Sequence, residues 1–201
     1  MQYAIIGSGQ IGTALARAFA RKNIEVGIAN TRGPETLESL TKELGPSISP
    51  LSVQDAHEAK IIFLAVPFPA HEDVARHFKQ WHGKIIVDVT NTLNLSPRGR
   101  EELGPLLSSE VVAKAFVGAR VVKAFNHLPA NQLGAISQKG QRQVVFVSGN
   151  DADACATIAA LATELGFAAV EVGRLDQGGV PLHVAGGKPG GLLFQNLVKL
   201  G

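Results

Sequence analysis

The residues best placed for chemistry with a ligand are three glycines near the start of the chain. Gly7-Ser8-Gly9-Gln10-Ile11-Gly12 is a G-x-G-x-x-G. It stands directly behind a short apolar run, Tyr3-Ala4-Ile5-Ile6. A helical pattern follows at once, with Ile11, Ala14, Leu15, Ala18 and Phe19 on one face of a 3.6-residue period. Strand, glycine turn and helix in that order are the context in which this motif holds a dinucleotide pyrophosphate. Gly7 permits the tight turn, Gly9 lets phosphate approach a backbone without a Cβ, and Gly12 lets helix and strand pack closely. The free N–H groups and the dipole at the helix start favour the negative charge.

The end of the second strand carries the next signal. Ile24 to Asn30 reads as that strand, and a unit that binds NAD usually places Asp or Glu there for the ribose 2′-hydroxyl. This chain has Asn30-Thr31-Arg32 instead. A carboxylate repels a 2′-phosphate, whereas a hydroxyl and a guanidinium fork bind it. NADP(H) is therefore expected over NAD(H). The alternative is that Arg32 is a solvated turn residue and Thr31 a helix cap, a reading that the nearby Glu35 and Glu38 keep open.

Other strand ends on the same edge should border the crevice. Ile61 to Val66 is a continuous apolar run, as in a strand covered on both faces, and it stops at Pro67. Ala65, Val66 and Pro67 should therefore line the site. Lys84 to Val89 is the following strand, with Thr90 and Asn91 just beyond it; Asp88 inside it reads equally as a structural carboxylate bonded to nearby backbone. Arg120 to Phe125 is another strand, in which Lys123 is expected to pack along its stem. His71 and His127 follow strand ends and are candidates to face the pocket, although a lone histidine is more often a hydrogen-bonded structural or surface group. None of the six histidines shows metal-ligand spacing, and no acid–base or nucleophilic constellation stands out, so no catalytic residue and no metal site is assigned.

These positions need a sheet to hold them. Further helices are expected from the Pro34 region to about Leu44, from Gln54 to Ala59, from His71 to Gln80, and from a Ser109 cap to about Phe116. Gln143 to Ser148 reads as a strand, Asp151 and Asp153 start a helix that ends at Gly166, and Phe167 to Val172 reads as the last strand. Cys155 shares an apolar helical face with Ile158, Ala159 and Ala162 and reads as a small core residue. Alternation of strands and helices predicts an α/β protein with a doubly wound, mostly parallel Rossmann-type sheet and helices on both faces. The 201 residues fit one dinucleotide-binding domain, with 173–201 a glycine-rich extension ending in a short helix.

Composition bounds the partners. The chain is 45% hydrophobic and 18% charged, and 19 basic against 17 acidic residues leave a net charge of +2. Such balance gives no reason to expect nucleic acid or an anionic membrane surface. No apolar stretch reaches the ~18 residues of a membrane span. No basic leader segment is visible and Cys155 is the single cysteine, so a reduced, cytoplasmic setting is expected.

Five stretches taken together resemble the deazaflavin (coenzyme F-420)-dependent NADP oxidoreductase family, and the domain is similar to the cytoplasmic oxidoreductase domain of six-transmembrane metalloreductases. They are residues 6–12, 30–37, 64–67, 88–91 and 122–126. The resemblance implies phosphate contacts from Ser8 to Ile11, a 2′-phosphate clamp at Thr31 and Arg32, and nicotinamide-side contacts at Ala65 to Pro67 and near Ala124. It also implies hydride transfer between NADPH and a small-molecule redox partner, coenzyme F-420 or an ordinary flavin (FMN or FAD), in a homodimer. Reduction of a small carbonyl, and NADP(H) sensing without turnover, remain as alternatives.

Overall fold

The computed structural model describes residues 1–92, 95–96, 103, 106–135 and 141–177, and the backbone of 198–200. In chain order these form β1 (Tyr3–Ile6), α1 (Gln10–Arg21), β2 (Val26–Ala29), a 3-10 turn (Pro34–Leu37) continuing into α2 (Glu38–Leu44), β3 (Ile48–Leu51), α3 (Val53–Ala56) and β4 (Ile61–Leu64). A second 3-10 turn (Phe68–Ala70) continues into α4 (His71–Arg76), followed by β5 (Ile85–Asp88), α5 (Ser108–Ala115), β6 (Arg120–Ala124), α6 (Ala130–Leu133), β7 (Gln141–Gly149), α7 (Ala152–Glu164), β8 (Ala168–Glu171) and β9 (Val198–Leu200).

Eight strands lie in the order β3-β2-β1-β4-β5-β6-β7-β8. Those from β3 to β6 are mutually parallel; β7 runs antiparallel to β6, and β8 parallel to β7. This is the Rossmann-type, mostly parallel sheet that the pattern predicts. After β1 the chain winds out through β2 and β3, then crosses back to β4 on the other side of β1. The carboxyl ends of β1 and β4 therefore form the switch point, where α/β sheets open a crevice for ligands.

The sheet is buried on both faces. Under α1, α2 and α7 lies one apolar cluster that includes Ile5, Phe19, Ile28, Phe63, Val87 and Val122. Under α3, α4 and α5 lies the other, with Ile6, Ile62, Leu64, Trp81, Ile86 and Phe116. Strands covered on both sides have no wet face, which is why β1 and β4 read as unbroken apolar runs and β5 as one interrupted only by Asp88. Cys155 belongs to the first cluster at 5% exposure, and burial pushes its thiol up to about 11. It is a packing residue.

Local chemistry explains most element ends. Asp151 caps α7 by accepting the Ala154 N–H at 2.8 Å. Gly45, at φ +95°, ends α2 in a backbone region that suits glycine. At α5 the expected cap moves: Ser108 and Ser109 are buried helical residues, and Glu110 closes the first turn instead by accepting the Leu107 N–H at 2.9 Å. The fourth helix stops at Arg76 rather than Gln80, because Phe78 and Trp81 leave the helical path to pack with His57.

The terminal segment departs from expectation. Val198–Leu200 pairs antiparallel with Gln141–Gln143 of β7, where the apolar spacing reads as helix. An open ladder edge satisfies backbone groups that a three-residue helical end leaves unpaired. Phe167–Val172 is therefore not the last strand. The glycine-rich stretch 178–191, the remainder of the predicted final helix and most of the basic turn 96–100 lie outside the described residues.

Candidate functional site

The glycine turn is built as its sequence requires. Gly7 has φ +114°, and a Cβ there would collide with the carbonyl of Ala65 at the end of β4. A Cβ on Gly12 would collide with the Gly7 carbonyl, so helix and turn touch backbone to backbone. Gly9 differs: it is the N-cap of α1 at φ −73°, and a Cβ there would meet nothing within 4 Å. Neither backbone geometry nor packing inside the chain calls for glycine at this place. The open space in front of it, beside the unpartnered N–H groups of the first helical turn, fits a phosphate.

The turn is tied to both neighbouring strands. The Gly7 N–H donates to Ala29 O at 2.8 Å, and the Ala65 N–H donates to Ile6 O at 2.9 Å. Two connected cavities open along this edge. The larger, of about 660 Å³, is lined by the glycine turn, Asn30, Thr31, Gly33, Ser52–Gln54, Ala65–Pro67 and one side of α4. A smaller one of about 280 Å³ lies beyond it, with Gln10, Ile11, Phe68, Pro69, Val89, Thr90, Asn91 and Leu95 in its walls. Gly9, Ala65, Val66 and Pro67 line both, so the two cavities form one trough across the switch point.

Asn30 organises the distal end. Its Nδ2 donates to Ser8 Oγ at 3.0 Å and to Thr36 Oγ1 at 3.1 Å, and its Oδ1 accepts the Arg32 N–H at 2.8 Å. The amide thus uses both donor hydrogens within the protein. It ties the glycine turn to the loop after β2 and is not held open toward a ribose. Thr31 and Arg32 are exposed, and the Arg32 guanidinium enters no ion pair or side-chain hydrogen bond with another described residue. The ionisable side chains in the larger cavity are Asp73, which Arg76 engages at 2.9 Å, and His77.

Most of the expected site residues meet in the trough: Gly7, Ser8, Gly9, Gln10, Ile11, Asn30, Thr31, Ala65, Val66, Pro67 and Asn91 all line it, with Arg32 on the adjoining loop. Ala124 does not. Its side chain is fully buried in the core beneath the sheet edge. The two candidate histidines also turn away. His71 is 2% exposed, with Nδ1 against the Phe68 carbonyl. His127 is 3% exposed, and its Nε2 bonds the Val144 carbonyl at 3.0 Å. Burial moves the His127 imidazole below its usual range, and the Val144 contact opposes this in part. Ser52–Gln54 were missed in the sequence. They follow β3 directly, and Ser47 to Leu51 reads as a weak third strand in the sequence, so the rule that strand ends border the crevice is the signal that identifies them.

Lys123 is likewise not a snorkelling side chain. It is 1% exposed, and its ammonium is paired with Asp88 at 3.0 Å. Beside it, Phe125 holds φ +62°, a left-handed conformation that costs a bulky residue of order 1–3 kcal/mol. Its ring is wedged between Phe63 and Phe167, with centroids 5.8 and 5.7 Å away, and that burial offsets the strain.

The model of the family described as NADP oxidoreductase, coenzyme F420-dependent, matches residues 2–92, the stretch that holds the glycine turn, the Thr31–Arg32 loop and the β4 and β5 ends. That segment, a little under half of the chain, is what matches the family. It is similar to the metalloreductase STEAP3 of Rattus norvegicus, 31% identical over 174 residues that cover 85% of this chain and 33% of that protein. The chain thus spans about a third of the length of the curated relatives it matches. Among solved structures, the hypothetical protein SMa0349 of Sinorhizobium meliloti is 40% identical, with a TM-score of 0.86 over 100% of this chain and 96% of that one. A protein of Arthrobacter sp. FB24 assigned as an F420-dependent NADP-reductase is 26% identical, with a TM-score of 0.69 over 88% and 86%. The family model and the Arthrobacter structure are both of NADP-dependent oxidoreductases. No helix among the described residues is long and apolar enough to cross a membrane.

Proposed function

We propose that the chain is an NADPH-dependent reductase that passes a hydride to the ring of a flavin or deazaflavin-type acceptor. The observation that carries this is the make-up of the smaller cavity. Its described walls are Ala65, Val66, Pro67, Phe68, Pro69, Val89 and Leu95, with Gln10, Thr90 and Asn91 as polar but uncharged groups. No titratable side chain lines it among the described residues. Reduction of a carbonyl needs a proton donor within hydrogen-bond reach of the oxygen. Hydride transfer from nicotinamide C4 to a flavin-like ring needs alignment at about 3–3.5 Å, and the rest of the chemistry belongs to the two ring systems.

The chain's own residues supply the grip. The first turn of α1 and Gly9 receive the diphosphate. Thr31 and Arg32 hold the 2′-phosphate, with Asn30 fixing their loop. Val53, Ala70 and Val74 offer an apolar slot to the base, and the prolines of the β4 end exclude water on the nicotinamide side.

The test is oxidation of NADPH, followed at the nicotinamide absorbance band, with deazaflavin, FMN and FAD offered separately and a panel of small aldehydes and ketones in parallel. Turnover with at least one tricyclic acceptor and none with the carbonyl panel is expected. Turnover with a carbonyl alone, or tight NADPH binding with no acceptor at all, would contradict the proposal.

A further inference from the structure

The pair formed by Lys123 and Asp88 lies under the smaller cavity without reaching it. The two residues are register partners on the parallel strands β6 and β5. Both are buried, at 1% and 0% exposure, and Lys123 Nζ stands 3.0 Å from Asp88 Oδ2. The same ammonium donates to the carbonyl of Thr90. The other carboxylate oxygen, Oδ1, accepts the Thr90 N–H at 3.0 Å and the Thr90 hydroxyl at 2.7 Å. Three polar groups of one residue are thus held by two charged side chains. Thr90 in turn lines the cavity together with Val89 and Asn91.

A buried ion pair is a poor route to stability. Desolvation consumes most of the attraction, and apolar replacements of similar volume are often neutral or stabilising. An apolar pair here would fill the same space between β5, β6 and α5. It would not hold the amide, hydroxyl and carbonyl of Thr90 at once.

We infer that Lys123 and Asp88 are positioning residues that fix the Val89–Asn91 wall against which the nicotinamide ring is aligned. This rests on the reading of the smaller cavity as the nicotinamide end. Neither side chain touches the dinucleotide; they act through Thr90. Their removal therefore alters the nicotinamide end of the trough and spares the adenosine end.

The experiment separates the two ends with two probes. 2′,5′-ADP reports the adenosine end alone, and NADPH reports both through its affinity and the emission of its bound nicotinamide. The variant Lys123→Met/Asp88→Leu replaces the pair with apolar groups, and Asp88→Asn and Thr90→Val weaken the clamp singly. In the double variant, 2′,5′-ADP affinity should stay within about twofold, while NADPH affinity falls about tenfold and its bound emission moves toward that of free NADPH. The single variants should shift the emission in the same direction by less. Should the double variant not fold, the two single variants decide. Bound emission and NADPH affinity equal to those of the unaltered chain in every folded variant would overturn the inference and leave the pair a packing feature. Equal losses of both probes would overturn it too, since the effect would then not be local. If the unaltered chain binds 2′,5′-ADP and NADPH equally well with no change in nicotinamide emission, the assignment of the cavity itself fails, and the positioning role fails with it.

Discussion

Gly9 and Gly12 stand three residues apart in one turn and are glycine for opposite reasons. A Cβ on Gly12 would collide with the carbonyl oxygen of Gly7, whereas a Cβ on Gly9 would meet no atom within 4 Å. One glycine serves the fold, and the other leaves room for something outside it. Substitution should separate the two. Gly12→Ala overpacks a backbone contact and should cost about 1–3 kcal/mol, lowering the melting temperature by several degrees in a chain of this size. Gly9→Ser keeps a good helix cap and puts a hydroxymethyl group into the open space. Its melting temperature should stay within about 2 °C, while NADPH affinity falls at least about tenfold. Thermal melts and nucleotide titrations of both variants check this; a Gly9→Ser protein that binds NADPH as before would remove the phosphate site from the turn.

Asn30 links both walls of the phosphate end, through Ser8 on one side and Thr36 and the Arg32 N–H on the other. Asn30→Ala removes all of these bonds from a half-exposed site. A stability loss of about 1–2 kcal/mol is expected, with weaker binding of both NADPH and 2′,5′-ADP, because the loop carrying Arg32 is freed. Asn30→Asp keeps only the acceptor and adds charge, so it should weaken NADPH more than NADH. Isothermal titration of the three ligands distinguishes these outcomes.

His127 gives the stability a pH dependence of known sign. Burial lowers its pKa below the ordinary 6.5, so the unfolded chain binds more protons than the folded one near that pH. Its contribution is fully present above about pH 6.5 and is lost as pH falls through the unfolded value toward the lower folded one. His127→Gln, whose amide can still donate to Val144 O, should melt less steeply with acidification than the unaltered chain. Melting temperatures between pH 7.5 and 5.5 would show the two curves converging. Parallel curves would mean that His127 takes up its proton equally well in the folded state.

How much was readable in advance follows from which forces were local. The glycine turn, the apolar runs of β1, β4 and β5, and the Asp151 cap depend on neighbours in sequence, and each stands where its pattern put it. The trough follows from them, because strand order fixes which ends meet. Apart from the α5 cap, which Glu110 takes from Ser109, the differences from expectation involve partners distant in the chain. Lys123 looks like a side chain with a wet tip, but α5 closes over the face where its tip lies, and Asp88, 35 positions earlier, receives the charge. His127 follows a strand end and still turns inward, because β7 offers it the Val144 carbonyl. Val198–Leu200 has no strand signal of its own; the open start of β7 supplies one. Asn30 lines the larger cavity, but its bonding to Ser8 and Thr36 is tertiary and leaves no sign in the sequence.

The most direct test of the account concerns the loop after β2. Arg32 is exposed, its guanidinium is paired with no described residue, and it follows Thr31 at the mouth of the larger cavity. Dissociation constants for NADPH and NADH should be measured on the unaltered chain and on Arg32→Glu. The account predicts at least about tenfold tighter binding of NADPH than NADH by the unaltered chain. It predicts that this preference is abolished or reversed in the variant, with NADH affinity changed no more than about threefold. An Arg32→Glu protein that retained full affinity for NADPH would contradict it.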